Sequence, residues 1–201
     1  MKAILDIGET QAEKLADEVR PLVAGQLLTP LTRYKRWADT FAIDNGAFSG
    51  FDAQAFCALL EREREHVKNC LFVCVPDVVG DGRRTLEIFF ERHTLIPREW
   101  PVAFVCQDGS EHHAIPWTAV AAVFIGGTTH WKMSSHAAAI VKAAKILGKH
   151  VHIGRVNTPE RWSHFERLGA DTCDGSGLCR FDHMLRKIAN KDSHPLLDTV
   201  A

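Results

Sequence analysis

The chain has 201 residues, 46% of them hydrophobic, and a formal net charge of −1. That balance fits one folded domain with a substantial core, and excludes both a disordered chain and a protein that binds nucleic acid through its total charge. With no run of about 18 apolar residues and acids within the opening MKAILDIGETQAEKL, neither a membrane span nor a signal peptide is expected, and a cytoplasmic location follows as the expectation.

KAILDI (2–7) reads as a strand, followed by a helix over TQAEKLADEV. LVAGQLL is a second strand and leads into a basic polar segment, TRYKRW. TFAID runs into NGAFSG, after which DAQAFCALLEREREHV has the 3.6-residue period of an amphipathic helix. CLFVCV stops at Pro76-Asp77 and is followed by a helix over GDGRRTLEIFFERH; VAFVC then stops at Gln107. AAVFI stops at Gly126-Gly127, and the helix HAAAIVKAAKIL ends at Gly148. HVHI stops at Gly154-Arg155. The next helix, TPERWSHFERLG, has Thr158 as its N-cap and Pro159 at its first position. ADTC closes the series before a last helix around HMLRKIAN.

Eight strands, nearly all followed by a helix, imply a parallel sheet, and eight is the count that closes a (β/α)8 TIM-type barrel. A doubly wound open sheet is the alternative. No linker, repeat or low-complexity segment interrupts residues 1–201, so a single compact domain is expected. The six cysteines are scattered, mostly in apolar strand-like runs, and no CxxC pair occurs. They read as buried reduced thiols and not as a disulfide framework or a zinc site.

The unusual residues fall in one place on each unit. Asp44, Asp77, Gln107, Gly126-Gly127, Gly154-Arg155 and Asp174 each end a strand. In a barrel those ends converge on one mouth, and in an open sheet they line one edge. Each taken singly is also an ordinary turn residue. Together, two aspartates suit nucleophilic and acid/base work at a glycosidic carbon. A third acid with an amide suits a planar hydrogen-bonding ligand, for which Phe48 offers a stacking face. Paired glycines let such a ligand approach the backbone.

Other features are weaker. His150 and His152 share one strand face, but no acidic or Cys partner has matching spacing, so no metal site is expected. His112-His113 reads as a solvated loop pair. Arg33, Lys35, Arg36, Lys132, Arg155 and Arg180 are the candidates for phosphate contacts, with Lys132 and Arg180 nearest the mouth.

The ordered series IDNGAF (43–48), VPDVVGD (75–81), FVCQDG (104–109), FIGGTTHWK (124–132), HIGRVNTPERW (152–162) and GADTCDGS (169–176) resembles the tRNA-guanine transglycosylase (queuine tRNA-ribosyltransferase) family over about residues 40 to 182. That family shows, in the same order, an Asp-Ser-Gly-Gly-Phe motif, an acid after the next strand, Gln-Gly-Gly, Gly-Gly-Leu, Gly-Val-Gly-Thr-Pro and Gly-x-Asp-x-x-Asp. The resemblance implies exchange of a guanine base in nucleic acid for a 7-deazaguanine, with no redox or metal cofactor. It implies Asp174 as the nucleophile at C1′ and Asp44 as general acid/base. It implies Asp77, Gln107, Gly126 and Gly127 as groups that bind the base, sandwiched between Phe48 and Ile153. Asp171 keeps a structural role, and Gly175 and Gly177 leave space for a sugar-phosphate backbone.

The chain departs from the family after Asp174. The Cys-x-Cys-x-x-Cys of its zinc subdomain is missing, with only Cys179, His183 and His194 in its place, and no structural zinc is expected. GSGLCRFD replaces the segment that engages the tRNA anticodon loop, leaving Arg180 as a phosphate contact. The chain is closer to the compact, phage-type relatives that insert 7-deazaguanines into DNA, so DNA is favoured over tRNA as partner. A nucleobase glycosidase using water, or a non-catalytic purine-binding accessory subunit, stands as the alternative. Homodimerisation or an accessory protein partner is left open by the sequence.

Overall fold

The computed structural model describes residues 1–33, 35–180 and 182–191. Tyr34 of the TRYKRW segment and His194 lie outside the described residues. Eight parallel strands form a closed barrel in chain order: β1 (Lys2–Leu5), β2 (Val23–Leu28), β3 (Phe41–Ile43), β4 (Cys70–Cys74), β5 (Val102–Cys106), β6 (Ala122–Ile125), β7 (His150–Ile153) and β8 (Thr172–Cys173). The last strand has only two residues, and it closes the ring by pairing Lys2 with Thr172 and Ala3 with Cys173. This is the (β/α)8 barrel expected from the alternation.

The strands are apolar on both faces because each face has its own core. Ile4, Leu27, Ala42, Phe72, Val105 and Phe124 form one cluster, inside the barrel. Their strand neighbours, such as Leu5, Leu28, Phe41, Ile43, Val123 and Ile125, point outward into the larger cluster shared with the helices. Parity along each strand therefore decides which core a side chain joins.

Helices α1 (Glu9–Ala12), α2 (Ala53–Glu63), α3 (Gly82–Arg92), α4 (Thr129–Lys132), α5 (Ser135–Ile146), α6 (Pro159–Arg167), α7 (Ser176–Arg180) and α8 (Asp182–Lys191) supply the outer layer. Their N-caps follow chemistry. Asp52, Asp81, Thr128, Ser134 and Thr158 each accept a backbone N–H three residues on. Thr158 and Pro159 open α6 as expected.

The departures lie where the apolar stripe is thin. The helix expected over 10–19 shrinks to α1, a turn and a 3-10 turn at Arg20–Leu22. Only Ala12, Leu15, Ala16 and Val19 of this stretch turn inward, a narrow apolar stripe to hold a long helix against the barrel. Among the described residues no helix joins β2 to β3, and only 3-10 turns join β5 to β6. At the first of these places the strands run unusually close: a Cβ on Gly25 would lie 2.0 Å from the Thr40 carbonyl oxygen. Among the described residues no helix is long and apolar enough to cross a membrane.

Candidate active site

The C-terminal strand ends surround a cavity of about 630 Å³ lined by Asp44, Asp77, Gln107, Gly126, Arg155 and Asp174, with Phe48 and Asn157 at its rim. The strand-end pattern thus assembles into one site, as barrel geometry requires. Asp6, at the end of KAILDI, also lines it and was missed, although it holds the same strand-end position as the others.

The three central aspartates differ in surroundings. Asp174 is nearly buried, its side chain 14% exposed. Its Oδ2 accepts from His152 Nε2 (3.1 Å) and its Oδ1 from the backbone N–H of Arg155 (2.8 Å). Burial by itself pushes its pKa up, but the His152 contact, the Arg155 N–H and the Lys132 charge together hold it below the ordinary carboxylate value. Asp174 is therefore an anion with both oxygens fixed. Among the described residues the Asp44 carboxylate accepts one hydrogen bond, from the Gly46 N–H (2.8 Å). Burial, then the charges of Asp174, Asp77 and Asp6, push its pKa up to about 7 against that single bond. Asp77 takes Asn45 Nδ2 on Oδ1 (2.8 Å) and Gln107 Nε2 on Oδ2 (2.6 Å). Burial raises its pKa and these two bonds oppose the rise.

Asp77, Gln107 and Asn45 form a braced polar wall. Gln107 Oε1 accepts from Gly80 N–H (2.9 Å), which fixes the amide's orientation. Asn45 donates also to the Val75 carbonyl and accepts from Ala47 N–H. Its role was missed because Asp-Asn-Gly reads equally well as a turn. Gly126 is required by the wall: a Cβ there would lie 2.7 Å from Gln107 Nε2 and 2.9 Å from Val105 Cγ1. Gly127 lies behind the wall and presents its carbonyl to Arg155.

Arg155 holds a left-handed backbone (φ +58°), the one such non-glycine among the described residues. This turns its N–H toward Asp174 and carries its guanidinium to the Gly126 and Gly127 carbonyls (2.5 and 2.7 Å). Strain of about 1–3 kcal/mol at such a residue is characteristic of functional positions. The guanidinium also lies 5.6 Å from the Phe48 ring centroid, and Phe48 is 75% exposed at the mouth.

Three expectations need correction. Ile153 is fully buried in the outer cluster, since strand parity points it away from the mouth, so it does not face Phe48 across the cavity. Lys132 is 2% exposed and its Nζ donates to the Gly154 carbonyl, which leaves it unable to reach a phosphate. Burial, with Arg155 nearby, lowers its pKa to about 8. It contributes positive potential to Asp174 instead. Finally, Gly175 lines the cavity but is glycine for packing: a Cβ there would meet the Val156 carbonyl at 2.5 Å and Asn157 Oδ1 at 2.6 Å. Arg155 faces into the site, Arg36 is spent on Glu63 (3.0 Å) and the Ala38 carbonyl, and the Arg180 side chain lies outside the described part of the structure.

Asp171 is structural, as expected. It pairs with Lys145 Nζ (2.7 Å to each oxygen) and accepts from the Val151 N–H (2.8 Å). Among the described residues no group of three His, Cys, Asp or Glu side chains is placed to hold a metal ion.

No protein-family model matches the chain, and no curated protein does. Solved structures are similar in fold. Phosphoribosyl anthranilate isomerase from Thermus thermophilus is 15% identical, with 96% of this chain and 98% of that one covered, at a TM-score of 0.48. A native KDPGal structure is 17% identical, with 94% and 88% covered, at 0.38. A protein assigned as glycerophosphoryl diester phosphodiesterase from Silicibacter pomeroyi is 13% identical at 0.43; 77% of this chain is covered but only 50% of that one. The chain thus spans half the length of that protein. At such identities the likenesses concern the barrel alone.

Proposed function

We propose that this protein is a base-exchange transglycosylase that replaces guanine in a nucleic acid, DNA in preference to tRNA, with a 7-deazaguanine. The observation that carries the reading is the divergence of two carboxylates in one cavity: Asp174 is held ionised, while Asp44 titrates at about 7. Paired groups with opposed protonation are what a nucleophile and an acid/base need. The resemblance of the strand-end motifs to guanine transglycosylases gives the same assignment, residue by residue.

In the first step an oxygen of Asp174 attacks C1′ of the guanosine unit and forms an ester-like C–O bond. The C1′–N9 bond breaks, its electron pair passes into guanine, and the protonated Asp44 delivers a proton to a ring nitrogen of the leaving base. In the second step the incoming base gives its N9 proton to the Asp44 carboxylate, and N9 attacks C1′. The C–O bond breaks and its pair returns to Asp174. Protons and charge balance over the cycle. Asp77 and Gln107 would accept from and donate to the base edge, and the exposed Phe48 would stack on its face.

The test is direct. Labelled 7-deazaguanine or guanine is incubated with guanine-containing DNA and RNA oligonucleotides, and the protein is probed for a covalent adduct. Exchange of label with an Asp174-linked adduct upholds the reading. Abasic sites without incorporation would assign a glycosidase, and base binding without any bond cleavage would assign an accessory subunit.

A further inference from the structure

Behind Asp174 the barrel interior holds polar groups that the reaction above does not use. His152 is fully buried, with its ring 4.9 Å from the Phe72 centroid and 4.7 Å from that of Phe124. One ring nitrogen meets Asp174 Oδ2 (3.1 Å) and the other meets Thr172 Oγ1 (2.9 Å). Thr172 Oγ1 in turn meets His150 Nε2 (2.8 Å). Four side chains, from β7 and from β8 with the residue that follows it, thus form an unbroken line of contacts leading away from the cavity.

The directions of these bonds follow from donor arithmetic. The anionic Asp174 can only accept, so His152 carries its hydrogen on Nε2. In a neutral His152, Nδ1 must then accept, and the Thr172 hydroxyl is the donor it meets. The Thr172 oxygen is free to accept from His150 Nε2–H. Burial lowers the His150 pKa to about 4, which keeps that ring neutral. Every hydrogen in the line then points toward Asp174.

We propose that His152 is a positioning residue for Asp174: through the His150–Thr172–His152 line it fixes the carboxylate's orientation and keeps it an anion ready to attack and to leave. The proposal rests on the reading of Asp174 as nucleophile. Forming the glycosyl ester removes the charge on Asp174, so the His152 hydrogen bond is strong before attack, weak in the intermediate and strong again as the carboxylate departs. The role is one of support, because no atom of His152 reaches the cavity.

Other groups also act on Asp174. Lys132 and Arg155 face it as cations, Asp44 and Asp77 as carboxyl groups with raised pKa and Asp6 beyond them, and Cys74 and Cys173 as buried thiols. The experiment must therefore change His152 alone. The Asp174 carboxyl is titrated by carbon-13 NMR in the full chain, assigned by its loss in Asp174→Asn. In parallel the rate of adduct formation with a guanine oligonucleotide is followed against pH. In His152→Leu the titration and the acid limb of the rate should both move up by about one pH unit, with adduct formation slowed about tenfold on the acid side of that limb and little changed near neutral pH. His152→Gln, which retains an N–H donor, should restore both to within about threefold. Thr172→Val, which leaves His152 in place but removes its donor, should give a smaller shift in the same direction.

An unmoved titration in His152→Leu overturns the proposal, and so does a His152→Gln variant that folds normally yet behaves like His152→Leu. If the unaltered protein forms no adduct with DNA or RNA, the transglycosylase reading fails. The carboxyl titration then still decides whether His152 holds Asp174.

Discussion

Asp174 and Asp44 carry the same functional group at equivalent strand ends, and their surroundings set them to opposite protonation states. Asp174 has a ring N–H, a backbone N–H and a nearby ammonium; Asp44 has one backbone N–H and three neighbouring acids. Asp174→Asn should therefore abolish the covalent adduct and lower exchange by about 10³-fold or more, read by adduct trapping and label exchange. On the proposed mechanism Asp44 is protonated in the first step, so adduct formation should decline as pH rises through about 7. Asp44→Asn should flatten that limb and slow the step by about 10²–10⁴-fold.

Stability follows the same group with its own sign. Because the folded-state pKa of Asp44 is raised, the folded protein binds more protons than the unfolded chain between about 4 and 7. Stability is undiminished below that window and falls as pH rises through it. Asp44→Asn should accordingly raise the melting temperature at pH 8 and leave it nearly unchanged at pH 4, as thermal denaturation at the two pH values would show.

At the scale of elements, two glycines have different reasons to be glycine. Gly126 ends β6 against the Gln107 amide, so Gly126→Ala should push Gln107 from Asp77 while leaving the strand paired. We expect weaker binding of the base, about 10–100-fold in KM, with a melting temperature close to that of the parent. Gly25 in β2 instead faces the Thr40 backbone, which cannot yield as a side chain can. Gly25→Ala should cost about 3 kcal/mol or more, lowering the urea midpoint with little specific effect on the site. Alternation of strand and helix made the β/α units readable in the sequence. The thin helix after β1 and the missing helix after β2 were less readable, because a weak apolar stripe does not say whether a helix or a loop will cover the barrel.

For the molecule as a whole, the short β8 is both the seam of the barrel and the support of Asp174, the proposed nucleophile. Asp171 holds this seam. Its carbonyl accepts from Lys2 N–H (2.9 Å), and its carboxylate binds the Val151 N–H and Lys145 on α5. Asp171→Ala should destabilise the fold by about 1–3 kcal/mol. It should also lower the exchange rate, since Asp174 lies just beyond the loosened strand. Calorimetry and exchange assays on one preparation would show the two losses together.

The sequence by itself determined the eightfold alternation and the strand-end placement of Asp44, Asp77, Gln107 and Asp174, which the barrel brings to one cavity. These are local signals, carried by period and by the residue at which each apolar run stops. Only the tertiary structure decided that Ile153 points outward and His152 inward, that Asn45 braces Asp77, and that Lys132 is buried below Asp174. The physical reason is that barrel strands are apolar on both faces, so hydrophobic pattern cannot tell inside from outside. The partners that set each carboxylate's charge come from neighbouring strands, about 20 to 30 residues away in the chain, and meet only when the barrel closes.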